Sequence, residues 1–450
     1  MILKLPNGAL EILNTLETCG HEAYVVGGCV RDSLLGIEPD DWDICTSARP
    51  ELIKKYFEDN GYRVIETGLQ HGTVTVVMED GAYEVTTFRC DGHYSDGRHP
   101  DTVEFVTNLH EDLARRDFTI NAMAYNPIDG LIDPFDGESD LNDRIIRCVG
   151  NANERFEEDA LRIFRALRFA SRFGFEIEFE THDAMVSNVR SIRKVSGERI
   201  NMELCKFLQG FYCGSVMMKY HHVFGQIIYD LQPCIGFKQN NPYHNLSVYG
   251  HTAKALQWCA SNDIVVLLAV LFHDVGKPYV YTKDEKGGHF KGHPAESCRI
   301  AERNLSRLRF DNETKRNVLE LIEYHDATIV ATTKAAKRWL NKLSKEQLDR
   351  LLAVRRADRA AHTPGTQNTR GAEDSKFATL VEQVIDEQQC FSMKDLAVNG
   401  KDVLAAGVKQ GPAVGQVLNY LLNGVIDELF PNERDVLLEE IRIFKKGETK

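Results

Sequence analysis

The chain has 450 residues, of which 43% are hydrophobic and 27% charged, a balance typical of globular proteins with two or more domains. No apolar run is long enough to span a bilayer, and the first residues lack a signal-peptide pattern, so we expect a cytoplasmic protein with no membrane partner. The formal net charge of −13 excludes indiscriminate nucleic-acid binding, which depends on excess Lys and Arg. The eleven cysteines are scattered, as is typical of reduced thiols.

The most informative segment combines a double-glycine turn with two aspartates. Apolar residues before Gly27-Gly28 predict a short strand, and a helix carrying Arg31 follows. Asp41 and Asp43 are predicted to lie two residues apart on a second strand, so their side chains point to the same face. Two carboxylates on one face repel each other unless a cation lies between them, and Mg²⁺ is the usual cation beside phosphates. The segment therefore predicts metal-assisted phosphoryl or nucleotidyl transfer rather than a solvated turn.

The rest of the first 150 residues mixes predicted helices and strands. Residues 10–16 and 50–60 predict short helices, while residues 73–78 and 83–88 predict strands joined by a hairpin. If the second of these strands lies beside the aspartate strand, Glu84 is a third carboxylate of the site. A solvent-facing strand glutamate is an equally good interpretation.

Two further segments carry arginines. Arg115 and Arg116 precede an apolar segment, and arginine pairs suit triphosphates because each guanidinium can hold two oxygens, although most such pairs are surface charges. A turn followed by a strand is predicted over residues 133–147. Asp159 and Arg162 lie three residues apart on a predicted helix and so share one face. They form either an intrahelical ion pair or a pair of acceptor and donor edges for a nucleobase.

Taken in chain order, five motifs resemble the class II tRNA nucleotidyltransferase and bacterial poly(A) polymerase family. They extend over about half of the chain. The motifs are Gly27-Gly28 with Arg31-Asp32 and Asp41-x-Asp43; Arg115-Arg116-Asp117 with Asn121-Ala122; Asp133-Pro134 with Asp136-Gly137; Glu158-Asp159-x-x-Arg162; and Ser196-Gly197-Glu198-Arg199-Ile200 with Glu203-Leu204.

The second half resembles the HD superfamily of metal-dependent phosphohydrolases. His251, the dipeptide His273-Asp274 and Asp358 give the H…HD…D order of that superfamily. Histidine and aspartate suit ions such as Mn²⁺, Ni²⁺ or Mg²⁺, so the resemblance implies a second divalent metal in this site. The alternative is an HD fold retained as a scaffold for RNA.

Together the two resemblances imply an α+β fold class. A small mixed nucleotidyltransferase sheet with helices is expected at the N-terminus, followed by an all-α neck, an HD-type body and a tail. The expected domains are a head at residues 1–150, a helical neck with the nucleotide-selecting helix at 151–236, an HD-type domain at 237–363 and a tRNA-contacting tail at 364–450.

The resemblance also implies roles for individual residues. Asp41 and Asp43, with Glu84 as the third catalytic carboxylate, would hold the Mg²⁺ ions of a two-metal reaction. The implied nucleotide-binding residues are Gly27, Gly28, Arg31, Arg116, Asp117, Asn121, Asp159, Arg162 and Arg165. Within that set, Asp159 and Arg162 would select CTP or ATP. The segment at 91–101 matches the flexible loop of members that complete the reaction with ATP.

The function expected from this resemblance is the sequential addition of C, C and A to the 3′ end of tRNA. The expected partners are tRNA, CTP and ATP, with no DNA. One alternative is a poly(A) polymerase, which shares the catalytic domain. Another is an HD phosphohydrolase whose head only binds nucleotide. A noncatalytic RNA-binding protein is disfavoured, because such a protein has little reason to keep a mutually repelling pair of carboxylates.

Overall fold

The computed structural model describes residues 2–69, 72–91, 103–240, 245–285, 287–363 and 368–448. The chain divides into two compact units, here called unit 1 (Met1–Gln232 with Arg307–Arg309) and unit 2 (Pro233–Ser306 with Phe310–Lys450). Residues 92–101 of the loop predicted at 91–101 lie outside the described residues. Within those described ranges, no helix is long and apolar enough to cross a membrane.

Unit 1 contains both strands and helices. Its strands are β1 (Ala23–Val26), β2 (Ile44–Thr46), β3 (Arg63–Gly68), β4 (Thr73–Met78), β5 (Gly81–Thr87), β6 (Arg89–Asp91), β7 (Val103–Phe105), β8 (Ala124–Asn126), β9 (Gly130–Ile132), β10 (Ile145–Ile146) and β11 (Glu176–Ile177). Its helices are α1 (Asn7–Thr18), α2 (Gly28–Leu34), α3 (Pro50–Asp59), α4 (Leu109–Ala114), α5 (Gly137–Asp143), α6 (Ala152–Glu158), α7 (Leu161–Phe173), α8 (Phe179–Asn188), α9 (Gly197–Leu208), α10 (Cys213–Lys219) and α11 (His221–Ile227).

Seven strands of unit 1 form one mixed sheet in the order β3-β4-β5-β2-β1-β8-β9. Only the β2–β5 pair within it is parallel, with Ile44 opposite Val85, and the predicted β4–β5 hairpin is present. Beneath the sheet, a hydrophobic cluster that includes Phe88, Leu113 and Val149 packs α4 against β1 and β2. The mixed sheet followed by helices confirms the α+β prediction.

Three local predictions were wrong. Strand β2 begins at Ile44, so Asp41 and Asp43 precede the strand instead of lying on it. A helix, α5, intervenes before the strand predicted over residues 133–147, because the Asp133 carboxylate accepts hydrogen bonds from the backbone N–H groups of the first turn at 2.8 Å. The helix predicted through Asp159 is broken there. Asp159 is extended (φ −144°, ψ 101°), and its Oδ1 accepts from the N–H of Leu161 at 3.0 Å, which starts α7.

Unit 2 is almost entirely helical. Its elements are α12 (Val248–Gln257), α13 (Ile264–Phe272), α14 (Lys277–Val280), β12 (Thr282–Asp284), β13 (Gly287–His289), α15 (His293–Arg307), α16 (Asn312–Tyr324), α17 (Thr333–Lys342), α18 (Lys345–Ala361), α19 (Asn368–Asp386), α20 (Gly400–Ala405), α21 (Pro412–Ile426) and α22 (Arg434–Glu448). Helix α13 consists only of apolar residues and is buried from Val265 to Phe272, so it forms the centre of this unit. A separate hydrophobic cluster holds α20, α21 and α22 together around Val403, Leu421 and Leu437.

Candidate active site

The double-glycine turn joins β1 to α2, as predicted. Gly27 has a φ of 81°, a left-handed conformation that side chains with a Cβ rarely adopt. A Cβ at this position would also lie 2.8 Å from Nη1 of Arg116. The missing side chain therefore lets the Arg116 guanidinium lie directly against the turn.

Three carboxylates lie beside this turn. The parallel β2–β5 pairing, with Ile44 opposite Val85, places Asp43 next to Glu84, as expected if the two strands are neighbours. Loss of hydration on its protein-facing side, together with the negative charges of Asp41 and Glu84, raises the pKa of Asp43 to about 6. The Arg116 guanidinium acts in the opposite direction. The site thus concentrates negative charge that a divalent cation would relieve.

A chain of hydrogen bonds runs from the turn to helix α7. Arg31 donates to Oδ1 of Asn121, and Asn121 donates in turn to Oδ1 of Asp117 at 3.0 Å. The other oxygen of Asp117 accepts from Nε of Arg165 at 2.7 Å. Burial would raise the pKa of Asp117, but Arg165 and Asn121 outweigh it and hold that pKa well below its usual range. Four of the predicted nucleotide-binding residues, from three separate segments of the chain, are therefore joined in one network.

Arg31 is more deeply enclosed than a phosphate ligand on an open turn. Its side chain is 5% exposed and pairs with Asp32 at 2.7 Å. Its guanidinium also lies 5.1 Å from the ring centroid of Phe169 and 4.9 Å from that of Phe173. The structure thus gives Arg31 protein partners, and its predicted contact with phosphate stays a prediction.

The two residues predicted to select the base lie at the break between α6 and α7. Asp159 uses Oδ1 to cap α7 and accepts from Nη2 of Arg199 at 2.7 Å through Oδ2. Arg162 donates to Oε2 of Glu158 at 2.6 Å and to the backbone oxygen of Arg115 at 2.8 Å. Asp159 and Arg162 form no ion pair with each other, so their interpretation as an intrahelical ion pair is wrong.

Sequence reasoning assigned no site role to three residues that hold the predicted ones in place. Arg199 binds Asp159, buried Glu203 lies 3.6 Å from Arg165, and buried Asp112 pairs with the guanidiniums of Arg115 and Arg116. Spacing gave a signal for Asp112, which is three and four residues before the arginines, whereas Arg199 and Glu203 stood out only as members of the fifth motif. The other two contacts join residues about 40 positions apart.

In unit 2 the predicted HD ligands converge. The donor atoms of His251, His273, Asp274 and Asp358 all lie within 4.8 Å of one another. His251 Nε2 is 2.8 Å from Oδ1 of Asp358, and His273 Nε2 is 3.3 Å from Oδ2 of Asp274. Burial would raise the pKa of Asp274, but His273 and Lys277 outweigh it and keep the carboxyl ionised.

Two more histidines extend this cluster. His293 and His325 form a second group of ligand atoms with Asp274, again within 4.8 Å. The Nδ1 atoms of His273, His293 and His325 lie 2.7–2.9 Å from the backbone oxygens of Val270, Phe290 and Ile322, respectively. A carbonyl can only accept, so each Nδ1 carries a proton, and each Nε2 atom faces the cluster, the orientation found in metal-bound histidines.

The comparisons with known proteins agree with this geometry. Family models match residues 23–147 (poly A polymerase head domain), residues 174–222 (RNA and SrmB-binding site of polymerase A) and residues 297–441 (tRNA nucleotidyltransferase domain 2). The CCA-adding enzyme of Ligilactobacillus salivarius is 33% identical over 446 residues, covering 96% of this chain and 95% of the relative. The chain belongs to the CCA-adding enzyme family. It is accordingly a tRNA nucleotidyltransferase of a metal-dependent family, as predicted.

Other members of the family match over the same length. The CCA-adding enzyme of Levilactobacillus brevis is 36% identical over 448 residues, covering 96% of each chain. The crystal structure of the Bacillus stearothermophilus CCA-adding enzyme in complex with CTP is 30% identical, with a TM-score of 0.72 over 98% of each chain. The likeness therefore includes both units and is not restricted to the head.

Proposed function

We propose that this chain completes the 3′ end of tRNA by adding C, C and A in turn from CTP and ATP. The observation that carries the proposal is the full-length match to CCA-adding enzymes, combined with a connected network of the residues predicted to bind nucleotide. The head domain alone would not distinguish this activity from poly(A) addition, because its family model is shared with poly(A) polymerases.

Asp41 and Asp43, with Glu84 beside them, are the residues that would hold Mg²⁺. Loss of hydration and the charges of Asp41 and Glu84 raise the pKa of Asp43, and all three carboxylates supply the oxygen ligands that Mg²⁺ prefers. The chemistry supplied by bound Mg²⁺ would be activation of the RNA 3′-hydroxyl and neutralisation of the triphosphate.

The remaining residues bind and orient the nucleotide. Arg116, which lies against the glycine turn, would hold the triphosphate. Asp117 and Asn121, held in fixed positions by Arg165 and Arg31, would contact the nucleotide and its ribose. Fixed partners reduce the reorganisation that binding requires.

Base selection would rest on Asp159 and Arg162. Along their Watson–Crick edges, cytosine and adenine both offer an amino donor beside a ring-nitrogen acceptor, whereas uracil and guanine offer a carbonyl beside an N–H. A carboxylate that accepts and a guanidinium that donates match the first pattern and oppose the second. Arg162 uses three of its five N–H donors for Glu158 and for the backbone oxygens of Arg115 and Arg155, which leaves donors for a base.

The decisive experiment measures product length and sequence. Incubation with tRNA lacking its CCA end should give an extension of three nucleotides with CTP and ATP, and of two with CTP alone. Asp41→Asn and Asp43→Asn should abolish both products, whereas Asp40→Asn, at an exposed neighbouring position, should retain them. An open-ended A ladder on unrelated RNA would identify a poly(A) polymerase instead.

We also propose that the histidine–aspartate cluster of unit 2 binds divalent metal and hydrolyses phosphate esters. Its support is the convergence of the four predicted ligands, with Asp274 shared by a second group that contains His293 and His325, and with histidine Nε2 atoms facing inward. Metal analysis of the purified chain should find a bound transition metal that is lost in His273→Ala. His289→Ala, at an exposed histidine paired with Asp284, should retain it. The absence of metal and of phosphatase activity from the unmodified protein would leave the scaffold interpretation.

A further inference from the structure

Asp112 is a buried carboxylate on α4 whose charge is shared by two adjacent arginines. Its side chain is 1% exposed. Oδ1 accepts from Nη2 of Arg115 at 2.7 Å and from Nε of the same arginine at 3.1 Å. Oδ2 accepts from Nη2 of Arg116 at 3.2 Å.

The two arginines use this carboxylate differently. Arg115 gives two donors of its guanidinium to a single oxygen, so its orientation is fixed by Asp112. Arg116 gives only Nη2. In the described part of the chain, its buried Nε has no hydrogen-bond partner, and its Nη1 lies against Gly27. A guanidinium with unused donors at a turn beside carboxylates is suited to an anion that reaches the site together with a metal.

The two adjacent arginines require a negative counter-charge between them, which Asp112 supplies. Two neighbouring guanidiniums repel each other, and without a counter-charge they would separate toward solvent. Burial would raise the pKa of Asp112, but Arg115 and Arg116 outweigh it, so the carboxyl stays ionised between them. The backbone N–H of Arg89, at the start of β6, also donates to Oδ1 at 3.3 Å and fixes the carboxylate from the sheet side.

We infer that Asp112 is a positioning residue that locks Arg115 and turns Arg116 toward the glycine turn, so that Arg116 is the arginine of the pair that receives the triphosphate. This inference rests on the proposed function, because it assumes a nucleoside triphosphate as the ligand. It assigns Asp112 a role in phosphate affinity and none in the choice of base, since in the described structure its carboxylate forms no hydrogen bond or ion pair with Asp159 or Arg162, and Arg162 binds Arg115 only at its backbone oxygen.

Equilibrium binding to the full chain tests the inference without requiring catalysis. Asp112→Asn keeps the shape of the side chain and removes its charge. We expect it to weaken the binding of CTP, ATP and inorganic tripolyphosphate by one common factor of about tenfold, because the lost contact orients a phosphate ligand. In an Arg116→Ala background, Asp112→Asn should cause no further loss, because its effect passes through Arg116.

The controls separate positioning from general stability. Asp140→Asn removes another buried carboxylate of unit 1, one that binds Thr119 and Arg147, and should leave tripolyphosphate binding unchanged. If Asp112→Asn fails to fold, Asp112→Glu keeps the charge but displaces it by one methylene and should give the same common factor. Wild-type affinity in Asp112→Asn, a loss for nucleotides but not for tripolyphosphate, or additive losses in the double variant would overturn the inference. Failure of the wild type to extend tRNA, with these binding results intact, would count against the proposed function alone.

Discussion

Arg199 donates from Nη2 to Oδ2 of Asp159 at 2.7 Å, and both side chains are largely buried, with 16% and 15% exposure. We predict that Arg199→Gln lowers discrimination between nucleotides more than it lowers addition itself. Asp159 is the group proposed to accept from the exocyclic amine of cytosine or adenine. Without Arg199 its carboxylate keeps only the cap to Leu161 and gains rotational freedom.

The size of the effect follows from the bond that is lost. A hydrogen bond to a charged group contributes about 1.5–3 kcal/mol, and 1.4 kcal/mol corresponds to a factor of ten. We therefore expect the ratio of kcat/KM for CTP over UTP, and for ATP over GTP, to fall at least about tenfold.

The assay is single-nucleotide addition to tRNA that ends one step before each addition, with each of the four nucleotides in turn. Arg193→Gln is the matched control, because Arg193 belongs to the same unit but is exposed and donates to the side chain of Gln226 at 3.1 Å. Unfolding midpoints of both variants establish that they remain folded. Unchanged discrimination in Arg199→Gln, or an equal loss of kcat/KM for all four nucleotides, would refute the reasoning.

Two further predictions concern the glycine turn and the carboxylates. Gly27→Ala and Gly61→Ala both place a Cβ at a φ above 80°, and each should cost about 1–2 kcal/mol of stability. Only Gly27→Ala should also weaken tripolyphosphate binding, because its Cβ meets Arg116, whereas no described atom lies within 4 Å of a Cβ at Gly61. Asp43→Asn should raise the melting temperature of the metal-free protein above pH 6. The raised pKa of about 6 means that the ionised carboxylate disfavours folding there, so the gain should shrink as the pH falls from 6 toward 4; a pH-independent difference would contradict this.

Much of unit 1 could be predicted because its elements are indicated by patterns within short stretches of sequence. Gly27 follows an apolar strand and requires a positive φ, and a two-residue turn joins β4 to β5, so element order could be inferred from short windows of sequence. The position of Glu84 beside Asp43 needed only one further assumption, that β5 pairs with β2. The same holds for the ligands of unit 2, whose order along the chain carried the resemblance.

The break at Asp159 was missed for a physical reason. The residues from Glu157 to Arg168 have helical periodicity, but the Asp159 side chain bonds its own backbone two residues on and stops α6. Local hydrogen bonding of an aspartate competes with helix continuation, and hydrophobic periodicity does not register that competition.

The identity and order of the functional groups follow from the amino-acid sequence alone: the glycine turn, the paired aspartates, the arginines and the histidine–aspartate set. Which of these groups contact one another depends on how the whole chain folds. Arg31 meets Asn121 across 90 positions, Arg199 meets Asp159 across 40, and Asp274 lies between two groups of histidines. Such pairings depend on which faces of distant elements pack together. Periodicity identifies the face that a residue occupies, whereas the partner on the opposing face is set by the packing of the whole chain.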